Sequence, residues 1–336
     1  MTASTMMSNA SVRFSRRPLD SARVMAILRR PSYRLPTCPP MELRLYGCSG
    51  GAMRLELAGR TLLVMAWLAL ICCASADAAD PPRRIASFNV CADQLVIALA
   101  DPDQIVALSP NARDPSMSVL TEEALQYPLL GRLAESVVPL QPDLVLVGPW
   151  DRPLTQRMLR DLGFRMVSVD IVSDVAVGFA QIREIAKLLG HPERGEALIA
   201  KIEAARRRLA AAPRPKSSSA LLIGNSGYTV GPDSLAGALL REAGLVPPTG
   251  APAGYGGYVP LEKLIMLRPD FLAMASAIET PDGQGALYLT HPALRALYPA
   301  DKRIVLPSRF TLCAGPSLIP AFDYLADVLA RLAKQQ

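Results

Sequence analysis

Histidine, tryptophan and cysteine are scarce in this chain, and the scarcity of histidine argues against two classes of function. The 336 residues include 2 His, 2 Trp and 6 Cys. Both histidines, His191 and His291, precede a proline at an apparent helix start, and neither follows a strand. A site for a bare zinc or manganese ion gathers several His and carboxylates, so this count argues against one. The same shortage argues against an enzyme. Gly224-Asn-Ser226-Gly follows a strand, but it is not Gly-x-Ser-x-Gly, and no His stands at a strand end to act as base. A Gly-rich phosphate loop, Cys-x-x-Cys and His-Glu-x-x-His are missing too, so no resident cofactor is indicated.

Surplus charge is also missing once the leader is set aside. Residues 61–73 are apolar and uncharged, preceded by Arg54 and Arg60 and followed by Ala74-Ser75-Ala76 and Ala76-Asp77-Ala78. The run is too short for the ~20 residues that cross a bilayer, and it reads as a secretory signal over 53–78. Cys72 and Cys73 suggest a lipoprotein, but Ile71 and Cys72 are poor neighbours for a lipid-modified Cys. Residues 1–52 carry eight Arg, two acids and scattered Pro without a helical or strand period. They read as a start assigned too early, with Met41 or Met53 the ordinary start, or else as a disordered extension. The whole chain has 36 basic and 30 acidic side chains, of which the first 78 residues hold 10 and 4. The remainder balances at 26 each, which leaves no basic surface for nucleic acid. Only Cys91 and Cys313 lie beyond Cys73, in what is then an exported and so oxidising compartment.

What the chain does have is a unit stated twice. Glu135-Ser-Val-Val-Pro-Leu-Gln-Pro142-Asp143-Leu-Val-Leu-Val recurs as Glu262-Lys-Leu-Ile-Met-Leu-Arg-Pro269-Asp270-Phe-Leu-Ala-Met. In both, Glu opens a short amphipathic helical turn, Pro-Asp ends it, and a buried apolar strand follows. The repeat predicts two similar α/β lobes with central sheets and a ligand cleft between them. Strands are predicted over 84–89, 104–108, 144–147 and 166–169 in the first lobe (79–173), with helices over 92–100 and 154–162. Residues 174–190 form one long helix of ~24 Å, capped by Ser173 or Asp174 and stopped by Gly190, which joins the lobes. A charged helix over 193–209 opens the second lobe (191–336). Strands follow over 220–223 and 303–306, helices over 235–243 and 318–332, and an irregular loop over 244–260 carries Tyr255 and Tyr258.

With Arg84-Ile-Ala-Ser-Phe-Asn near the start, the two Glu…Pro-Asp units and the single joining helix, the chain resembles the periplasmic substrate-binding proteins of cobalamin and ferric-siderophore ABC importers. The resemblance covers nearly all of 83–334. It implies two lobes on one rigid helix, slight closure on a bulky metal chelate, and a surface Glu on each lobe that docks onto the permease in the inner membrane. It implies no catalysis, and a monomer. Glu262 is the stronger docking candidate, and Glu135 follows from the repeat. A helix-start carboxylate favoured by the macrodipole is the plainer reading of both, and the two readings are compatible.

Ligands of α/β lobes sit beyond the carboxyl ends of parallel strands. That rule nominates Asn89 and Cys91, Asn111 and Arg113, and Trp150 in the first lobe. In the second it nominates Tyr228, Tyr255, Tyr258, Arg309 and Phe310. Trp150 either stacks on a flat ligand ring or caps the edge of the first core. Arg113 and Arg309 either pair with ligand carboxylates or phosphates or make surface ion pairs. The tyrosines either meet a ring or pin their loop. For Cys91 and Cys313 three readings stand: a cross-lobe disulfide, thiolates on a soft metal, or two inert buried thiols. Cobalamin, a ferric siderophore and haem all suit such a cleft, and only the tyrosines offer an axial ligand for haem.

Overall fold

The computed structural model describes residues 80–216, 218–275 and 284–335. The leader and extension expected within 1–78 lie outside the described residues. The first strand, β1 (Ile85–Ser87), is followed by α1 (Val90–Leu99), β2 (Ile105–Ala107), β3 (Leu144–Val147), α2 (Pro153–Asp161) and β4 (Met166–Ser168). The four strands form one parallel sheet in the order β2-β1-β3-β4, with Ile85 beside Leu144 and Val145 beside Met166. Every residue of β3 is buried, as the uninterrupted run Leu-Val-Leu-Val requires of a strand covered on both faces.

Next come α3 (Val175–Leu189) and α4 (Pro192–Ala211). Asp174 caps α3 by accepting the Val177 N–H at 2.9 Å, and Gly190 ends it in the left-handed region. The rest of the chain is β5 (Ala220–Leu222), β6 (Tyr228–Val230), α5 (Leu235–Glu242), β7 (Gly256–Tyr258), α6 (Leu261–Leu267), β8 (Phe271–Met274), α7 (Gln284–Leu289), α8 (Pro292–Leu297), β9 (Arg303–Val305), α9 (Ser308–Thr311) and α10 (Leu318–Lys334). Here β5-β8-β9 is a second parallel sheet, and β6 and β7 pair as a separate antiparallel ribbon.

Strand alternation divides each sheet between two cores. Ile85, Leu144 and Leu146 face one core, while Ala86, Val145 and Val147 face another with Leu159. In the second sheet Leu222, Phe271 and Ala273 face the same core as Ile85, and Leu221, Leu272 and Met274 face an outer one with Leu264 and Leu294. One apolar core therefore runs between the sheets, filled by Ile182 and Ile185 of α3, Ile202 of α4, and Phe322 and Leu325 of α10. The helix α3 spans Val175–Leu189, and α4 and α10 share its core. Arginine pairs knit this layer at its surface: Arg183 of α3 with Glu196, Arg206 with Glu242 of α5, and Arg208 with Asp323 of α10. Such half-exposed pairs each contribute about 0–1 kcal/mol, so the shared core dominates.

The sequence repeat returns as a backbone repeat. Gln141 (φ 44, ψ 55) and Arg268 (φ 41, ψ 55) hold the same left-handed conformation, each one residue before the Pro-Asp pair. The two Asp do one job. The Asp143 carboxylate accepts the N–H groups of Arg83 and Arg84 ahead of β1 at 2.7 and 3.0 Å. Asp270 accepts the N–H and hydroxyl of Ser219 ahead of β5 at 3.0 and 2.7 Å. The copies differ in the turn itself. Glu262 lies in a true helix, α6, but Glu135 lies in the first of two successive 3-10 turns, Ala134–Ser136 and Val138–Leu140. Pro139 stands where the second copy has Met266, and a ring without an N–H cannot continue an α-helix.

Candidate functional site

In the first sheet the chain leaves β1 for β2 on one side and then returns to β3 on the other. A crevice opens where the connections diverge, at the carboxyl ends of β1 and β3. Asn89 follows β1 and caps α1, its Oδ1 accepting the N–H groups of Cys91 and Ala92 at 2.9 and 3.3 Å. Gly148 follows β3. A Cβ there would collide with the Asn89 amide, so the two loops meet only because position 148 has no side chain. The hollow beside them, of about 180 Å³, is lined by Phe88, Asn111, Arg132, Trp150, Asp151 and Arg152, among others. Trp150 is 83% exposed; it stands over the hollow and caps no core.

Carboxylates lie at and behind this wall. Asp151 Oδ2 accepts the Gly148 N–H at 2.6 Å. Burial raises its pKa, opposed by hydrogen bonds from Gly148 and Asn89. Deeper, Asp93 of α1 is fully buried. It accepts the Ser109 hydroxyl at 2.5 Å and the Ser109 N–H at 3.0 Å, which ties the end of the β2 strand to α1. Burial pushes its pKa up to about 6, against the pull of the hydrogen bonds from Ser109 and Ser87.

The second sheet has a matching hollow of about 240 Å³ at its carboxyl ends, lined by Leu222, Ile223, Tyr228, Leu306, Ser308 and Thr311, among others. Within the stretch predicted as an irregular loop, Gly256–Tyr258 forms one strand of the β6–β7 ribbon. Tyr228 lies opposite Tyr258, with ring centroids 5.3 Å apart and edge-on. Gly256 makes the pairing feasible: its φ is +119, and a Cβ would strike the Thr229 carbonyl. Tyr258 is 72% exposed and Tyr255 66%.

The two sets of strand ends meet. Cys91, at the start of α1, is disulfide-bonded to Cys313, just after α9, with Cα atoms 5.1 Å apart. Nearby, the Arg309 guanidinium donates to the Pro115 carbonyl at 3.3 Å. Phe88 of the first hollow lies three residues from Cys91, and Leu312 of the second lies next to Cys313. Both hollows thus flank one junction.

The remaining nominees divide by what they touch. Asn111 lines the first hollow and Tyr228 the second. Arg113 faces inward, donating to the carbonyls of Ala124, Leu125 and Tyr127 at 3.3, 3.2 and 2.7 Å, so it holds the 3-10 turn over Glu123–Gln126. Phe310 is only 6% exposed, belongs to the shared core and packs at a tilt against Tyr324 with centroids 5.5 Å apart, while the Arg309 guanidinium lies 5.0 Å from its ring centroid. Neither Arg113 nor Phe310 presents its side chain to a hollow. Sequence reading passed over Arg132 and Arg152, which do line one; no motif marks a guanidinium as unpaired. His291 caps α8 by accepting the Ala293 N–H, and His191 lies 3.1 Å from Asp101 at the start of α4. Glu135 and Glu262 are exposed, each at the beginning of its turn.

Among curated proteins no sequence match is found. Solved structures share the fold. The periplasmic heme-binding protein RhuT from Roseiflexus sp. RS-1 superposes with a TM-score of 0.59 at 23% identity, over 75% of this chain and 99% of that one. A periplasmic heme-binding protein from Pseudomonas aeruginosa gives 0.57 at 24%, over 74% and 92%. The periplasmic vitamin B12 binding protein BtuF of Vibrio cholerae gives 0.57 at 16%, over 76% and 99%. The model of the periplasmic binding protein family matches residues 85–286, more than half the chain and both sheets as far as α7. The chain belongs to the periplasmic binding protein family.

Proposed function

We propose that the chain is the periplasmic solute-binding component of an ABC importer, and that it captures a bulky metal chelate between its lobes and delivers it to the permease. Cobalamin, a ferric siderophore and haem are the candidate cargoes. The observation that carries the reading is the pair of strand-end hollows flanking one junction, with Trp150 exposed over one and Tyr228 lining the other. Exposed aromatics on a cleft wall suit a large flat ligand. Each hollow is smaller than the ~300–1,000 Å³ of an ordinary ligand pocket, so a bulky ligand needs both walls. The names of the structural neighbours, heme-binding and vitamin B12 binding, support the same class of cargo.

Glu135 and Glu262 are the proposed contacts to the permease, one per lobe. The shared core and the disulfide favour slight closure over a wide hinge swing, because both resist separation of the lobes. The chain acts by binding; no reaction is proposed. Equilibrium dialysis of the full chain against cyanocobalamin, a ferric siderophore and iron protoporphyrin tests the reading. Retention of one of them at sub-micromolar concentration, more than ~8 kcal/mol of binding, is expected. Retention of none would overturn it.

A further inference from the structure

We infer that Arg132 and Arg152 select the ligand by charge, and that the hollow beneath Trp150 receives the edge of a flat chelate bearing peripheral carboxylates. This rests on the binding reading above and narrows it.

Among the described residues, neither guanidinium makes an ion pair or a hydrogen bond, although both line the hollow. Arg113 and Arg309, by contrast, are engaged with main-chain carbonyls. The acid on the same wall, Asp151, is already satisfied by the Gly148 N–H and the Asn89 amide. The wall therefore offers two unengaged planar cations beside an exposed aromatic face. A guanidinium meets a carboxylate through two parallel N–H groups, and an indole meets a ring by stacking. The position of Arg152 adds to this. It precedes Pro153 at the start of α2, where no side chain caps the helix, and a cation there lies at the positive end of the helix dipole. An anion between the two arginines relieves that repulsion.

The facing wall has a different chemistry. The second hollow is lined by apolar side chains such as Leu222, Ile223 and Leu306, with the hydroxyls of Ser308 and Thr311 and no charged group. The two walls together fit a ring that is apolar over most of its area and anionic along one edge, with that edge toward the first lobe. A corrin edged with amides lacks the charge, and a globular tris-catecholate lacks the flat face.

The test is an absorbance titration of the full chain with four probes: iron protoporphyrin IX, its dimethyl ester, cyanocobalamin and a ferric tris-catecholate. The dicarboxylate is expected to bind most tightly, with the ester at least ~10-fold weaker, since one charge-assisted pair of ~1.4 kcal/mol is tenfold. The Arg132→Gln/Arg152→Gln variant should bind the dicarboxylate ~100-fold more weakly and the ester as before, and added salt should weaken only the dicarboxylate. Both positions are exposed, so the melting temperature of the variant should match the parent. Equal affinity for acid and ester would overturn the inference and leave the binding reading intact. So would tight binding of cobalamin or the tris-catecholate with the porphyrin rejected. Failure of all four probes would overturn both.

Discussion

The disulfide joins residues 222 apart and gives the sharpest quantitative prediction. Closing a loop of that length removes about 18 cal/mol/K from the unfolded chain on the loop-entropy model, or about 5 kcal/mol at 25 °C. Replacing both cysteines with Ala adds roughly 1 kcal/mol of lost packing, because Cys313 is 2% exposed. The native arrangement has other supports. Gly315 packs so closely on Leu95 that a Cβ would lie 2.9 Å from its Cδ2. The Ser317 hydroxyl donates to the Cys313 carbonyl at 2.5 Å, and Leu318 is fully buried in the shared core. The loss therefore appears mainly through the unfolded state, and compact unfolded chains reduce it to about 3–5 kcal/mol. Urea unfolding of the oxidised protein, the reduced protein and Cys91→Ala/Cys313→Ala measures it. With a slope of ~2–3 kcal/mol/M the midpoint should fall by about 1–2.5 M, and the transition should stay single because one core spans both sheets. An unchanged midpoint would refute the entropic argument, and two separate transitions would refute the shared core as the element that unites the lobes.

Three further outcomes follow from the same geometry. Gly148→Ala drives a Cβ into the Asn89 amide and should cost about 1–3 kcal/mol in thermal or urea melts, with altered Trp150 fluorescence as the loop shifts. Asp93 has a folded pKa of about 6 against ~3.9 for a free Asp, so the folded state holds more protons between these values. Stability should then fall as pH rises from about 4 to 6, by about 3 kcal/mol in all, and Asp93→Asn should flatten that slope in urea melts taken across the range. Glu262→Ala should leave chelate affinity unchanged and reduce uptake in cells, and Glu135→Ala/Glu262→Ala should reduce it further. Normal uptake by the double variant would remove these residues from docking.

Where the sequence was legible, local pattern and burial agreed. Leu144–Val147 and Phe271–Met274 are apolar throughout, and both are central strands buried on each face. The Pro-Asp repeat carried more than periodicity: it recurs as matched left-handed residues and matched Asp clamps on the opening strand of each sheet. The β6–β7 ribbon was not legible, because Gly256 and Gly257 suggest a loop and only the tertiary partner Thr229 shows why glycine is needed. At the candidate site, the loops nominated by the strand-end rule line the two hollows, but not every side chain within them does. Arg113 and Phe310 lie in nominated segments, yet main-chain carbonyls and the shared core hold them. Whether a guanidinium is engaged or free depends on carbonyls brought together by folding, and so Arg132 and Arg152 carried no sequence signal.

The most direct test of the central claim uses Trp150 as its own reporter. The chain has two tryptophans, so Trp67→Phe leaves Trp150 alone. That protein is titrated with iron protoporphyrin, cyanocobalamin and a ferric siderophore, with correction for absorbance. Saturable quenching by one of them below micromolar concentration, with weaker binding in Trp150→Ala by dialysis, is the predicted result. A chelate that binds tightly without quenching Trp150, or no quenching by any of the three, would contradict capture at the strand ends.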